Sequence, residues 1–409
     1  MDTKQVVENI SGKKIAIHLL KNFPSSILNG DENGRPKVAN FGGVIRDRLS
    51  SQNIKHAIRR SEVLGSLDKL GIRTRYMPEL VLERMMALRD EDESLSEAKD
   101  DVLKAAAERL QKFGKNSDKG GEESEEGKKT SSLTTAQALF YSDADIQNLA
   151  QATMEAIRDC EFDLKKVKAM KADKFNEYLV DCGASPISID MALFGRMVTS
   201  DLLSDVESSV QVAHALSTHA AYREMDFFTC IDEMLESGKA GSGDSGAAMM
   251  DYKPFRSSCF YMYAAVDLGV LAENMAKVTN GETMIAEVVE AFIRAFAMSY
   301  SKTGQSAFAA QVLPDLVMVE VQDGNVPTYE YINAFEAPVK TYGQNPEVVK
   351  NSVKALAGFV DTMDEAYELP IRHRGYFAPR FADEIAPEKC EKFTKFNSLT
   401  AAVKDWIKE

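Results

Sequence analysis

Lys14 to Leu20 (KIAIHLL) alternates and is β-branched, which predicts a first strand. His18 within it reads as a core or sheet-face residue. A loop rich in Pro, Gly, Asn and Asp follows from Phe23 to Asn40. Val44 to Leu49 is a short β-prone run, with Arg46 and Arg48 two apart and so on one face. Ser50-Ser51-Gln52 then supplies a helix N-cap, and the helix it opens places Ile54, Ala57 and Ile58 on one side. Pro78 opens a further helical stretch (PELVLERMMALRDED), and 96–113 has the same period. Residues 114–132 contain no apolar side chain, so a disordered loop is expected there. Helices resume over 134–159.

From Ile187 (ISIDMALFGRMVTS) a β signal returns. Ser257–Leu268 (SSCFYMYAAVDL) predicts a strand of aromatic and small residues, with Tyr261 and Tyr263 on one face as a potential stacking platform. Helices are expected at 269–279 and 284–299, a buried strand at 314–321 and an edge strand at 331–336. The remainder, 345–408, reads as mainly helical, with a Pro/Arg-rich loop at 370–387 and Trp406 in an amphipathic last helix. This order of strands and helices predicts an α+β fold, an RRM-like (ferredoxin-like) sheet with insertions. The aromatic signature of RRM proteins is absent, which makes the sheet a scaffold.

At 409 residues the chain can bury a large core. The first twenty residues carry charges throughout and lack the apolar stretch of a signal peptide, and no run of eighteen apolar residues exists. The five cysteines (160, 182, 230, 259 and 390) are far apart and form no CxxC pair, which points to free thiols in a reducing cytoplasm. His214 and His219 are five apart, a spacing that neither helix nor strand converts into a metal site, so no metal or other cofactor is expected.

The net charge of −14 argues against a general nucleic-acid binder. Charge is local, however. Residues 41–60 (FGGVIRDRLSSQNIKHAIRR) hold five Arg or Lys against one Asp. Gly42 and Gly43 permit a sharp turn. Lys55 and Arg59 share a helix face, where two like charges repel unless an anion lies between them. The free N–H groups of the first helical turn are a natural anion site. The stretch reads as a strand–turn–helix that grips phosphate. A second basic run, 163–175 (DLKKVKAMKADKF), spaces Lys165, Lys168, Lys171 and Lys174 three apart, with Lys166 beside them; it reads as a solvated face or as a rail for a nucleic-acid backbone.

FGG with basic residues, then SSQ, then K-x-A-x-R, resembles the CasC family, the guide-RNA-binding backbone subunit of the type I-E CRISPR surveillance complex Cascade. The D-x-A-L-x-G-R-M run at 190–197 resembles it too, as do blocks at 17–60, 187–234, 257–268 and 303–340. Where the family has a basic run after the glycines, this chain has Val44, Ile45 and Asp47, and His56 stands at another commonly basic position. The resemblance implies that Lys37, Arg46, Arg48, Ser50, Ser51, Gln52, Lys55, Arg59, Arg60, Arg196, Met197, Lys302 and Gln305 contact crRNA, Met197 as a wedge against guide bases. It implies that Lys165, Lys166, Lys168, Lys171 and Lys174 hold target DNA.

The domains implied are a palm (1–75, 187–212 and 259–409), a helical insertion (76–186) and a β-hairpin thumb (213–258) with a glycine-rich tip at 239–246. The partners implied are crRNA, target DNA, sister copies in a filament and the other Cascade subunits: large, small, 5′-handle-binding and crRNA-processing. A helicase–nuclease would be recruited transiently, and no membrane is involved. The family is non-catalytic. Two alternatives stand beside this reading. One is an RNA-cleaving CRISPR backbone subunit that uses Asp190, and the other is a stand-alone single-strand RNA-binding protein. No GxSxG, Walker A, HExxH, CxxC or GxGxxG motif is present.

Overall fold

The computed structural model describes residues 10, 12–67, 69–112, 133–179, 186–198, 203–222, 224–230, 249–301, 303, 305–324, 326–343 and 346–409. The expected disordered loop at 114–132 and the glycine-rich tip at 239–246 lie outside them. The strands are β1 (Lys14–Ser26), β2 (Val38–Phe41), β3 (Val44–Leu49), β4 (Ile72–Thr74), β5 (Leu139–Tyr141), β6 (Val210–Val212), β7 (Ala215–Ser217), β8 (Glu224–Cys230), β9 (Met249–Asp267), β10 (Leu316–Gln322), β11 (Ile371–Phe377) and β12 (Glu391–Lys392). Two compact units emerge: residues 1–11, 67–210 and 268–285 form one, and 12–66, 211–267 and 286–409 the other. Residues 187–210, assigned from sequence to the palm, belong to the unit that holds the helical insertion.

The second unit is built on a sheet of order β12-β11-β10-β1-β9-β7-β3-β2, with β6 and β8 also paired to β9. All its pairings whose register is described are antiparallel except β11 with β12. The inner order β10-β1-β9-β7 is that of a ferredoxin-like palm. Central β1 is buried on both faces, which explains its nearly continuous apolar run; Ile17 faces Ala264 on one side and Val319 on the other. One face of the sheet packs Leu20, Tyr261, Met318 and Tyr376 against Val353, Leu356 and Val360 of helix Val348–Tyr367.

Four local expectations fail in this unit. The loop expected over 23–40 is strand at both ends, where it holds the end of β1 and most of β2. The expected loop at 370–387 contains strand β11. Its Arg374 donates to Glu320 (2.7 Å) and to Asp364 (2.9 Å) inside the fold. Burial works to raise the Glu320 carboxyl, but His18 and Arg374 hold it below the ordinary range. The expected edge strand at 331–336 is a 3₁₀ turn, Ile332–Phe335. Its backbone is claimed by side chains: Tyr331 N–H donates to the Tyr261 hydroxyl, and the Phe335 carbonyl accepts from Arg46. Tyr261 and Tyr263 are themselves buried in the core and form no stacking platform.

The helical unit packs Met77–Glu91, Asp100–Arg109, Asp143–Asp159, Leu164–Ala169 and Ala172–Leu179 around Val81, Met85, Leu103, Leu149 and Ile157. Pro78 lies in the first turn of its helix, as expected. Helix Asp143–Asp159 follows the short strand β5 and starts at a capping box between Ser142 and Asp145. The β signal at 187–198 is overturned. Ile189–Phe194 is a helix, with Ile189, Met191, Ala192 and Leu193 all buried. An apolar run enclosed on every side has no period to tell helix from strand. Gly195, at φ +76°, ends it.

Candidate nucleic-acid interface

The FGG stretch forms a hairpin between β2 and β3, with Phe41 paired to Val44. Gly42 and Gly43 take φ +59° and +76°, the positive values a type I′ turn requires at both positions. A Cβ on Gly42 would lie 1.8 Å from the Glu336 carbonyl oxygen, so only glycine fits.

Arg46 is fully buried, contrary to the expected phosphate contact. Its guanidinium donates to the carbonyls of Phe41 (3.2 Å), Ser217 (3.1 Å), Phe335 (2.7 Å) and Glu336 (3.1 Å). It ties the hairpin to β7 and to the 3₁₀ turn. Burial lowers its pKa, yet a guanidinium keeps its charge, so the surrounding carbonyls are its counter-dipoles. Asp47, the acid in an otherwise basic pattern, is buried too. Its carboxylate accepts from Arg256 and from the Ser258 hydroxyl, both at the root of the β8–β9 hairpin. Its N–H donates to Ser217 Oγ (3.0 Å).

Ser50 caps helix Ser51–Arg59 by accepting from Asn53 N–H (3.3 Å). Ser51 N–H donates to His214 Nδ1 (3.1 Å), and Arg48 approaches the same nitrogen (3.3 Å). The helix N-terminus is therefore not the open anion site that sequence suggests. Burial, then Arg48 and Lys37, lower the His214 pKa, which keeps Nδ1 an acceptor. Ile54 and Ile58 are buried, as expected. Lys55 and Arg59 lie partly exposed, Gln52 and Arg60 exposed. Burial lowers the Lys55 pKa. Lys37 meets Arg48 through the hydrogen bond from Arg48 N–H to Lys37 O (3.0 Å). Lys37, Arg48 and Arg256 line one small pocket. Gln305 donates to the Ser301 carbonyl (2.8 Å), and Lys302 lies outside the described residues. Sequence reasoning missed Arg256 and the helix-end role of His214, because neither has a local signature.

In the helical unit Arg196 is also inside. It pairs with Asp145 at 2.6 Å, and neither side chain reaches solvent. Its Nε donates to the Ser204 carbonyl (3.1 Å). Arg196 is an anchor rather than a phosphate ligand, and Met197 beside it is 86% exposed. Asp190 is buried and accepts from Gly71 N–H (2.8 Å) and the Ser188 hydroxyl (2.6 Å). The five lysines 165, 166, 168, 171 and 174 are all exposed. They sit on two short helices, Leu164–Ala169 and Ala172–Leu179, and on the link between them. Asp163 caps the first by accepting from Lys165 N–H (2.7 Å) and Lys166 N–H (3.1 Å), and Lys166 pairs with Glu161.

The hairpin arms β8 and β9 pair from Glu224–Phe255 to Cys230–Met249. Met225, Phe227 and Tyr252 share one face and are solvent-exposed. Among the described residues no group of three or more His, Cys, Asp or Glu could hold a metal ion, and no helix is long and apolar enough to cross a membrane. Cys160, Cys259 and Cys390 are free thiols.

The model of the CT1975-like protein family matches residues 15–404. No curated protein gives a significant match. Among solved structures, a chain of a CRISPR RNA-guided surveillance complex, pre-nicking, is 27% identical with a TM-score of 0.77, over 96% of this chain and 100% of that one. A chain of another CRISPR RNA-guided surveillance complex shares the fold at 23% identity and a TM-score of 0.66, over 96% of this chain and 99% of that one. With nearly the whole sequence matched, the chain belongs to the CT1975-like protein family.

Proposed function

We propose that this chain is the crRNA-binding backbone subunit of a Cascade-type surveillance complex, of the type I-E CasC kind. The observation that carries this reading is the full-length likeness to a chain of an RNA-guided surveillance complex. The geometry supports it in three places: the half-exposed cations Lys37, Arg48, Lys55 and Arg59, the exposed Met197, and the hairpin that carries Met225, Phe227 and Tyr252 into solvent. Sister copies would line one guide RNA in the cytoplasm, each thumb folded over its neighbour. Target DNA and the other Cascade subunits complete the partners.

The role is non-catalytic in this reading. Asp190, the residue that an RNA-cleaving alternative would use, is turned inward and spent on the Gly71 amide and the Ser188 hydroxyl. Purification of the chain from cells that carry a guide array tests the proposal. A small RNA of defined length should co-elute, and the particle mass should rise in steps with RNA length. A monomeric RNA complex would favour the stand-alone binder. Magnesium-dependent RNA cutting that is lost in Asp190→Ala would favour the enzyme.

A further inference from the structure

We infer that Arg256 completes a subsite for one backbone phosphate with Lys37 and Arg48, at the root of the β8–β9 hairpin. The inference rests on the RNA-binding reading and deepens it. The pocket is lined by these three cations, with Ser26, Asn29 and Phe260 among its walls. Asp47 is the one acid in that lining, and its carboxylate is already shared by Arg256 and the Ser258 hydroxyl. The lining therefore keeps an excess of positive charge. Asn29 is neutral and adds no charge; its side-chain oxygen accepts from Ser50 N–H (2.9 Å).

Arg256 has capacity left. Nη1 donates to Asp47, whereas the buried Nε has no hydrogen-bond partner among the described residues. A guanidinium fork can hold a carboxylate on one edge and a second anion on the other. A phosphate at this place would touch the palm through Lys37 and Arg48 and the hairpin root through Arg256. Guide occupancy and the set of the hairpin would then be linked. Asp47 has a matching part: it holds Arg256 ready and competes with the phosphate for it.

That competition separates the subsite from a mere structural pin. A pin predicts that Arg256→Gln and Asp47→Asn act alike, because each breaks the same pair. The subsite predicts opposite signs. Binding of a fluorescein-labelled single-stranded RNA is measured against salt on the full chain, beside melting temperature. Arg256→Gln should weaken binding about tenfold, the worth of one charge-assisted contact. It should also flatten the log K versus log salt slope by ~0.7. Asp47→Asn should bind RNA at least as tightly as wild type, although it melts lower.

Equal weakening by both variants, or RNA binding unchanged in Arg256→Gln, would overturn the subsite and leave the RNA reading standing. Inorganic phosphate serves as the second probe. If it raises the melting temperature of wild type and not of Arg256→Gln while no RNA binds, the subsite stands and the RNA reading falls.

Discussion

Arg46 and Lys55 show how much two cationic side chains can differ in role within ten positions. Arg46 satisfies four carbonyls inside the fold. Arg46→Ala strands them and should cost about 3 kcal/mol, the upper range for hydrogen bonds to a charged group. Urea denaturation should show the lower midpoint, while the salt slope of RNA binding by the folded fraction stays as in wild type. Lys55→Ala should do the reverse: stability within ~0.5 kcal/mol of wild type and a slope flatter by ~0.7. Two buried or half-buried acids also diverge. Burial raises the Glu330 pKa to about 7. Its native state thus binds a proton that the unfolded chain releases near pH 4.5. The stability this group contributes is full below that value and is lost as pH rises through 7. Glu330→Gln should therefore melt higher than wild type at pH 8, with the gap closing toward pH 4. A constant gap across that range would show that Glu330 does not titrate as described. Glu320 has the opposite sign: its pKa is depressed, so its contribution fades as pH falls below the usual carboxylate range. Lys55 was legible on its helix face, but the inward turn of Arg46 was not, because its burial depends on carbonyls from Ser217, Phe335 and Glu336, far along the chain.

Elements with local signals were legible, and those held by distant partners were not. Helix Ser51–Arg59 announces itself through the Ser50 cap and the Ile54/Ile58 face. The sharp turn at Gly42-Gly43 and the central parts of strands β1, β9 and β10 are equally plain, whereas β2 and the end of β1 lie in a Pro/Gly-rich stretch that reads as a loop. Strand β11 hid in a Pro/Arg-rich stretch because it is held by β10 and by the Glu320–Arg374–Asp364 cluster. The segment at 331–336 looks like a strand, but a tyrosine hydroxyl and Arg46 take its backbone groups. The arms of the β8–β9 hairpin expose Phe227 and Tyr252, with ring centroids 5.1 Å apart. Two strands with such a face are marginal alone in water and gain order from a surface that covers them. The amides of 224–230 should exchange rapidly in the isolated chain and slowly in the RNA-bound assembly. Equal protection in both states would count against the thumb reading.

At the scale of the molecule, an acidic chain of net charge −14 carries two groups of basic residues, one in each compact unit. Lys37, Arg48, Lys55 and Arg59 belong to the sheet unit, whereas Lys165, Lys166, Lys168, Lys171 and Lys174 belong to the helical unit. On the proposed reading, acidity elsewhere would limit non-specific attachment. We propose that the lysine group holds duplex DNA. Its five ammonium groups are solvent-exposed, and of them Lys166 has an ion-pair partner in Glu161. The Asp163 carboxylate beside them is taken up in capping, where the N–H groups of Lys166 and Lys165 hold its pKa below the usual range. The remaining repulsion would be relieved by a backbone with one negative charge per ~1.7 Å of axis, whatever its sequence. Lysine, a flexible point charge, fits sequence-blind contact better than the rigid arginine fork. Changing Lys165, Lys168 and Lys171 together to alanine should leave RNA co-purification and assembly mass as in wild type. It should weaken duplex DNA binding by the assembled particle to a similar degree for matched and unmatched sequences. Three fewer phosphate contacts should flatten the salt slope by ~2.7, at 0.9 per contact on B-DNA. If assembly failed while DNA affinity held, the stripe would belong to the guide strand, and the assignment of the two groups would be reversed.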